Sequence, residues 1–162
     1  NREGDLIGLL RAGKSIALVT DAGTPGISDP GGKLVAKVAR EMPDIAITPI
    51  PGSCALAAAL SISGFPADEF LFLGFPPHKK GRKKFFERVA EETCSVVFYE
   101  STHRILKTLV EMGSIGPRRP MVVCRELTKL HETIYRGTLT QVTAQVKSGS
   151  IKGEFVIVVG PL

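Results

Sequence analysis

The chain has 162 residues, 43% apolar and 23% charged, with no Trp, three Cys and a net charge of +5. This is an ordinary composition for a soluble globular protein, with room for one large domain or two small ones. No apolar run reaches the length of a membrane span, and the opening Asn1-Arg2-Glu3-Gly4-Asp5 is not patterned as a signal peptide. The thiols Cys54, Cys94 and Cys124 are dispersed, with no Cys-x-x-Cys pair and no His at metal spacing. They argue against a metal site and fit buried thiols in a reducing cytosol.

In chain order, residues 5–11 read as a helix with Gly13 as its stop. Ile16, Ala17, Leu18 and Val19 open a short aliphatic run, expected to be a buried parallel strand over 16–20. It breaks into residues 21–32, which hold four Gly, two Pro and two Asp. Glycines permit positive φ and close approach of a ligand. Prolines leave fewer conformers to freeze on binding. Asp29-Pro30 reads as the cap and first turn of a helix over 32–41, with Leu34, Val35 and Val38 on its apolar face.

A second strand is expected over 45–50, running into Pro51-Gly52-Ser53. Ser53 is the expected N-cap of an alanine-rich helix over 53–62 that stops near Ser63-Gly64. This βαβα order argues for a parallel sheet with helices on its faces. Ligands of such sheets bind beyond the carboxyl ends of the strands. Two strand ends that each open into a Gly/Pro loop and a helix start can form one pocket. A tight βα loop and an Ala-rich core helix, with no ligand, account for part of the same pattern.

Residues 70–75 read as a short apolar strand or an extended linker, and Pro76-Pro77 can continue neither. The domain boundary is placed there, giving domains 1–75 and 76–162. His78-Lys79-Lys80-Gly81-Arg82-Lys83-Lys84 is the densest positive run and leads into a helix over 83–91 carrying Phe85, Phe86, Val89 and Ala90. The rest reads as strand 95–99, amphipathic helix 102–112, a turn over 116–120, strands 121–124 and 134–138, helix 140–148 and a buried strand 155–159. Charge is uneven: residues 1–75 hold six Lys/Arg against eight Asp/Glu, and residues 76–162 hold fifteen against eight. The second half thus suits a polyanion, although a solvated basic face explains the same excess.

Five motifs, in order, carry a resemblance. They are Asp21-Ala22-Gly23-Thr24-Pro25-Gly26-Ile27-Ser28-Asp29-Pro30-Gly31, Pro49-Ile50-Pro51-Gly52-Ser53-Cys54-Ala55-Leu56, Phe98-Tyr99-Glu100-Ser101-Thr102-His103-Arg104, Arg125-Glu126-Leu127-Thr128-Lys129-Leu130-His131-Glu132 and Lys152-Gly153-Glu154. Over essentially its whole length the chain resembles the tetrapyrrole methylase superfamily, and within it the bacterial 16S rRNA cytidine 2′-O-ribose methyltransferases. The resemblance implies an α/β fold of two small domains with a cofactor cleft between them. The chain opens inside a helix and without Met, and the resemblance implies that about the first quarter of the family's chain precedes it. The implied enzyme transfers a methyl group from S-adenosylmethionine to a ribose hydroxyl of 16S rRNA in the 30S subunit, as a cytoplasmic homodimer.

The same resemblance assigns cofactor contacts to Asp21, Gly23, Thr24, Pro25 and Ser28 in the first loop, and to Pro51, Gly52, Ser53 and Ala55 in the second. It adds Phe98, Tyr99, Glu100, Lys152, Gly153 and Glu154 from the other domain. The G-x-G-x-x-G fingerprint is absent, so a Rossmann dinucleotide site is not suggested. A ribose hydroxyl is weakly acidic, and a base helps its transfer chemistry. The candidates are Glu100, His103, Lys129 and His131, each of which also has a structural reading as a helix-start or surface residue. Lys79, Lys80, Arg82, Lys83, Lys84, Arg125 and Lys129 are the candidate RNA contacts, with Glu126 orienting a neighbour. For Arg125–Lys129 a surface salt-bridge cluster is the alternative. A tetrapyrrole C-methyltransferase and a catalytically inactive binding fragment remain the competing functions, because fold alone does not choose between them.

Overall fold

A computed structural model describes residues 2–115 and 119–162 of the chain. The turn expected over 116–120 thus falls largely outside the described residues. The chain divides into two units, Asn1–Cys54 and Ala55–Leu162.

In the first unit, helices α1 (Arg2–Arg11) and α2 (Gly32–Glu41) are joined by the glycine-rich segment. α1 ends as its sequence demands. Gly13 turns left-handed at φ 75°, its amide donates to Leu10 O, and the Lys14 amide reaches back to Leu9 O. That pair of bonds is a Schellman motif, and a side chain at Gly13 would strain it. α2 is capped by Gly31 and has no side-chain cap, so Asp29 does not take the role expected of it. The strands expected over 16–20 and 45–50 are absent: neither segment joins a ladder among the described residues. Aliphatic runs are competent to form strands, yet a strand exists only when a second segment satisfies its amides and carbonyls. The expected parallel βαβα sheet is therefore not formed by these two runs.

The sheet lies in the second unit. Its strands are β1 (Phe70–Phe72), β2 (Ser95–Ser101), β3 (Pro120–Arg125), β4 (Thr133–Thr138) and β5 (Glu154–Val159), in the order β1-β2-β5-β3-β4. Only β1–β2 is parallel; the other three pairings are antiparallel. Helix α3 (Ala55–Ser63) covers one face, on Val97, Val122, Cys124, Val156 and Val158. Helices α4 (Arg82–Glu91), α5 (Ile105–Ile115) and α6 (Leu139–Ser148) cover the other, on Val96, Phe98, Met121, Val123, Phe155 and Ile157. Both faces of the central strands are thus buried, which is why their sequences read as continuous apolar runs. α6 starts one residue earlier than expected because Thr138 and Gln141 form a reciprocal capping box.

The two units divide at Cys54/Ala55, whereas the sequence pattern places a boundary at 75/76. The reason is local. α3 and β1 lend their apolar faces to the same sheet as the C-terminal strands. The segment after β1 continues that attachment, with Leu73 N donating to Val97 O and Tyr99 N to Gly74 O.

Arg119, only 4% exposed, is a further tie. Its guanidinium donates to Gly160 O at 2.6 Å, Val89 O at 2.7 Å and Cys94 O at 2.8 Å, joining the end of β5 to α4 and to the approach to β2. Arg119→Met keeps much of the side-chain volume but leaves these carbonyls without this donor. It should destabilise the fold by about 3 kcal/mol, read as a lower urea midpoint at unchanged slope. A wild-type midpoint would remove Arg119 from the account of stability.

Candidate functional site

In the first unit the two sequence loops come together. The Thr24 hydroxyl donates to Ser53 O at 3.0 Å, and a Cβ built on Gly23 would lie 3.9 Å from that same carbonyl. Gly23 and Gly26 are left-handed, at φ 77° and 83°, and Ser28 shares that region at φ 58°. The Thr20 hydroxyl closes the loop start on Gly23 O at 3.3 Å. Asp21, Gly23, Ser28, Pro51, Gly52 and Ser53 are exposed, while Thr24 and Pro25 are half-buried. Ser53 is not the N-cap: α3 begins at Ala55, and the Ser53 carbonyl serves the first loop instead. A Cβ built on Gly52 would meet nothing closer than Ile50 O at 4.0 Å beyond its chain neighbours. This cradle of exposed backbone and small polar groups can take a ligand that lies against main chain.

In the second unit, Phe98, Tyr99 and Glu100 were expected to act together on a cofactor. Alternation along β2 prevents this. Phe98 and Glu100 point into the α4–α6 face and are 0% and 1% exposed. Phe98 packs on Phe85 and Phe86. Both are interior residues and are corrected as ligand contacts. Tyr99 faces α3, where its hydroxyl accepts the Leu56 amide at 3.2 Å and its ring meets Phe72 and Phe75. It therefore closes the first turn of the helix that Ala55 opens.

Glu100 is the hub of a buried charged network. One carboxylate oxygen lies 2.9 Å from Arg104 Nε and accepts the Ser101 amide at 2.7 Å. The other accepts the Thr108 hydroxyl at 2.6 Å and lies 3.8 Å from Arg82. Arg82 in turn donates to Thr108 and to Glu111, each at 2.5 Å, and lies over the Phe86 ring. A carboxylate so enclosed is not placed to take a proton from a substrate. Arg82, 6% exposed, is equally corrected as an RNA contact; its neighbours Lys79, Lys80, Lys83 and Lys84 are exposed. Thr108 and Glu111 were missed. No local spacing marks them, because Glu100 lies on β2 while Thr108 and Glu111 come from α5.

The fourth and fifth motifs are joined. Glu126 pairs with strand β5 through its amide and its carboxylate: the Glu126 amide donates to Glu154 O at 2.9 Å, and the Glu154 amide donates to the Glu126 carboxylate at 2.8 Å. Lys129 Nζ bridges Glu126 at 3.2 Å and Glu154 at 2.7 Å. Gly153, at φ 111°, is required: a Cβ there would collide with the Glu126 side chain at 2.5 Å. Arg125, 8% exposed, spends its guanidinium on Lys152 O at 2.6 Å and His131 O at 2.9 Å, so it is corrected from phosphate contact to loop anchor. Thr102 Oγ1 donates to Ile151 O on the same stretch.

The amide of Glu154 chiefly, and then Lys129, hold the Glu126 carboxyl below its usual range. Its hydrogen bond to Glu154 first, then that to Glu126, raises Lys129. Lys129, with its side chain 45% exposed, is thus held as the ion-pair partner of both carboxylates. His103 and His131 are exposed. Among the described residues no group of His, Cys, Asp and Glu is arranged to hold a metal ion.

A carboxyl with a lowered folded value stabilises fully above its unfolded value and loses that contribution as pH falls through the folded one. The lock between 126 and 154 is therefore complete above about pH 4.5, the ordinary value for Glu126, and loosens below it. Amide resonances of Glu126 and Glu154 should shift together as the pH enters that acid range, and the Glu126→Gln chain should lose this joint shift. Resonances that shift identically in both chains would contradict the lock.

A family profile, Tetrapyrrole (Corrin/Porphyrin) Methylases, matches residues 5–143. Proteins named ribosomal RNA small subunit methyltransferase I are similar throughout. That of Synechocystis sp. is 44% identical over 98% of this chain and 58% of its own length. That of Xylella fastidiosa is 47% identical over 95% and 57%, and that of Thermotoga maritima 38% over 95% and 68%. The chain thus spans between about half and two thirds of the curated relatives it matches. Among solved structures, a cobalt precorrin-4 methyltransferase has the same fold at TM-score 0.69 and 19% identity, over 98% of this chain and 69% of that one. The uroporphyrin-III C-methyltransferase of Thermus thermophilus, complexed with S-adenyl homocysteine, aligns at TM-score 0.61 and 17% identity, over 98% and 71%. The chain belongs to the tetrapyrrole methylases, on the side of that family occupied by the ribosomal RNA small subunit methyltransferases I.

Proposed function

We propose that this chain is part of an S-adenosylmethionine-dependent methyltransferase acting on a cytidine ribose 2′-hydroxyl of 16S rRNA. The observation that carries the reading is the 44–47% identity to the rRNA methyltransferases over nearly all of the chain. Likeness to the tetrapyrrole enzymes stays below 25% identity and speaks for the fold alone. The 30S subunit as substrate form, a homodimer as assembly and the cytoplasm as location belong to the same proposal. So does the division of labour between a cofactor-binding part, 1–75, and a substrate part, 76–162. No helix among the described residues is long and apolar enough to cross a membrane.

The cradle of the first unit fits the cofactor. Open space beside Gly23 and Gly52 lets a ligand reach main chain, and the Thr24–Ser53 bond keeps the two loops adjacent. Asp21, Thr24, Ser28 and Ser53 supply the polar groups that would hold the methionine part. When bound, S-adenosylmethionine supplies an already activated methyl group. The protein then has to hold the ribose oxygen in line and exclude competing geometries, which is worth several kcal/mol, on the order of 7 or more in favourable cases. With Glu100 enclosed and Lys129 paired, the exposed His103 and His131 are the side chains proposed to accept the hydroxyl proton. Lys79, Lys80, Lys83 and Lys84 are the proposed phosphate contacts, which position RNA and do not choose its base.

The decisive test offers labelled S-adenosylmethionine with 30S subunits, naked 16S rRNA and uroporphyrinogen in parallel to the protein. Methyl groups should enter ribose of 30S rRNA; label in the tetrapyrrole would overturn the reading. A second experiment addresses the cradle. Gly52 has no positive φ and no crowding neighbour, so Gly52→Val fits the fold. Cofactor affinity by calorimetry should drop at least about tenfold, a loss of roughly 1.4 kcal/mol, at an unchanged melting temperature. Wild-type affinity would move the cofactor elsewhere. Gly23→Val is a poorer probe, since φ 77° strains any branched residue whatever binds there.

A further inference from the structure

The basic run begins within a turn that the interior holds in place. Arg104 Nη1 donates to Pro76 O at 2.9 Å, and Arg82 Nη1 donates to Pro77 O at 3.1 Å. These are the last two carbonyls before His78. At its other end the run closes on itself, with Arg82 N donating to Lys79 O at 3.3 Å and Gly81 left-handed at φ 87°. Both arginines are oriented by one carboxylate, Glu100, directly for Arg104 and mainly through the Thr108 hydroxyl for Arg82. Glu100 has 0% side-chain exposure, and no step of the proposed chemistry uses it. Ion pairs this deep are not the cheapest way to stabilise a core; apolar replacements commonly serve as well. What the carboxylate does here that an apolar residue cannot is aim two guanidiniums at two consecutive proline carbonyls.

The geometry points to Glu100 as a positioning residue for RNA: through Arg82 and Arg104 it fixes the 76–81 turn and so presents Lys79, Lys80, Lys83 and Lys84 as one preorganised phosphate-binding surface. This inference rests on reading the chain as an rRNA methyltransferase. Binding to a rigid array of cations avoids the ordering cost that a loose loop incurs. Loosening the turn therefore weakens RNA binding without changing how many phosphates are neutralised. The salt dependence separates the two effects, because the slope of log affinity against log salt counts phosphates, at about 0.7–0.9 per contact.

The test measures binding of purified 30S subunits at several salt concentrations for wild type, Glu100→Gln, Arg104→Met and a chain with Lys79, Lys80, Lys83 and Lys84 all changed to Ala. Glu100→Gln and Arg104→Met should each weaken binding about tenfold at a wild-type salt slope, an effect of ordering cost, with S-adenosylmethionine affinity unchanged. Amides of residues 78–81 should exchange faster in both. The four-Ala chain should flatten the slope. If Glu100→Gln does not fold, Arg104→Met, whose side chain is 16% exposed, decides alone. Faster exchange with wild-type 30S affinity overturns the inference while leaving the rRNA reading intact. A four-Ala chain with a wild-type slope overturns the RNA role of the run, and with it the inference.

Discussion

A sheet covered on both faces leaves its central strands no solvent side, and this constraint governs the second unit. Every residue of β2 must enter either the α3 layer or the α4–α6 layer. Val96 and Phe98 accept one, Val97 the other, without difficulty. Glu100 falls on the same side as Val96 and Phe98, so its charge has to be met inside the protein. Thr108 and Ser101 meet it with hydrogen bonds, and Arg82 and Arg104 with opposite charge. The outcome is a neutralised interior cluster whose remaining donors reach the Pro76-Pro77 turn. A packing constraint on one strand thus reaches the surface where the basic run lies.

A different arrangement joins two polar motifs at the same end of that sheet, where Glu100 and Arg125 both pair with Phe155. β3 and β5 are neighbours, so Arg125 and Phe155 share a register position. The polar segments beyond them, 126–132 and 151–154, are then brought side by side. Glu126 and Thr128 both adopt left-handed backbone, at φ 50° and 65°, which side chains rarely favour. The Glu126 and Lys129 bonds to Glu154, the Thr128 amide on Glu132 at 2.6 Å and the anchoring by Arg125 hold that geometry. Leu127 packs towards the α3 layer, while Leu130 is 93% exposed at the loop tip. Charged residues that look like a substrate site in sequence are, in large part, the means of holding this loop.

The candidate site was legible to unequal degrees, its loops more than its charges. Loop positions such as Gly23, Gly52 and Thr24 could be picked out as parts of tight loops because turn chemistry is local: Gly, Pro and Ser in quick succession favour exposed, sharply turning backbone. Charged positions could not be sorted the same way. Arg82 sits among five Lys/Arg of one run, yet it alone turns inward, because it opens α4 on the face that meets Thr108 and Glu111. Arg125 resembled a phosphate contact for the same reason Lys79 does. The difference between them is burial, which depends on strands far apart in the chain.

Local sequence determined the helices, the capping box at Thr138 and Gln141, the Gly13 stop and the apolar strands of the second unit. In each case the deciding contacts lie within a few residues. It also determined family membership, which ordered motifs carry without reference to contacts. Tertiary structure alone decided which extended runs became strands. Residues 16–20 and 45–50 have suitable side chains, but a ladder needs hydrogen-bonding partners that no local pattern specifies. Tertiary structure likewise decided which cations face outward and which are consumed inside. The sign of a charge is written in the residue, but the atoms that answer it come from segments brought together only by folding.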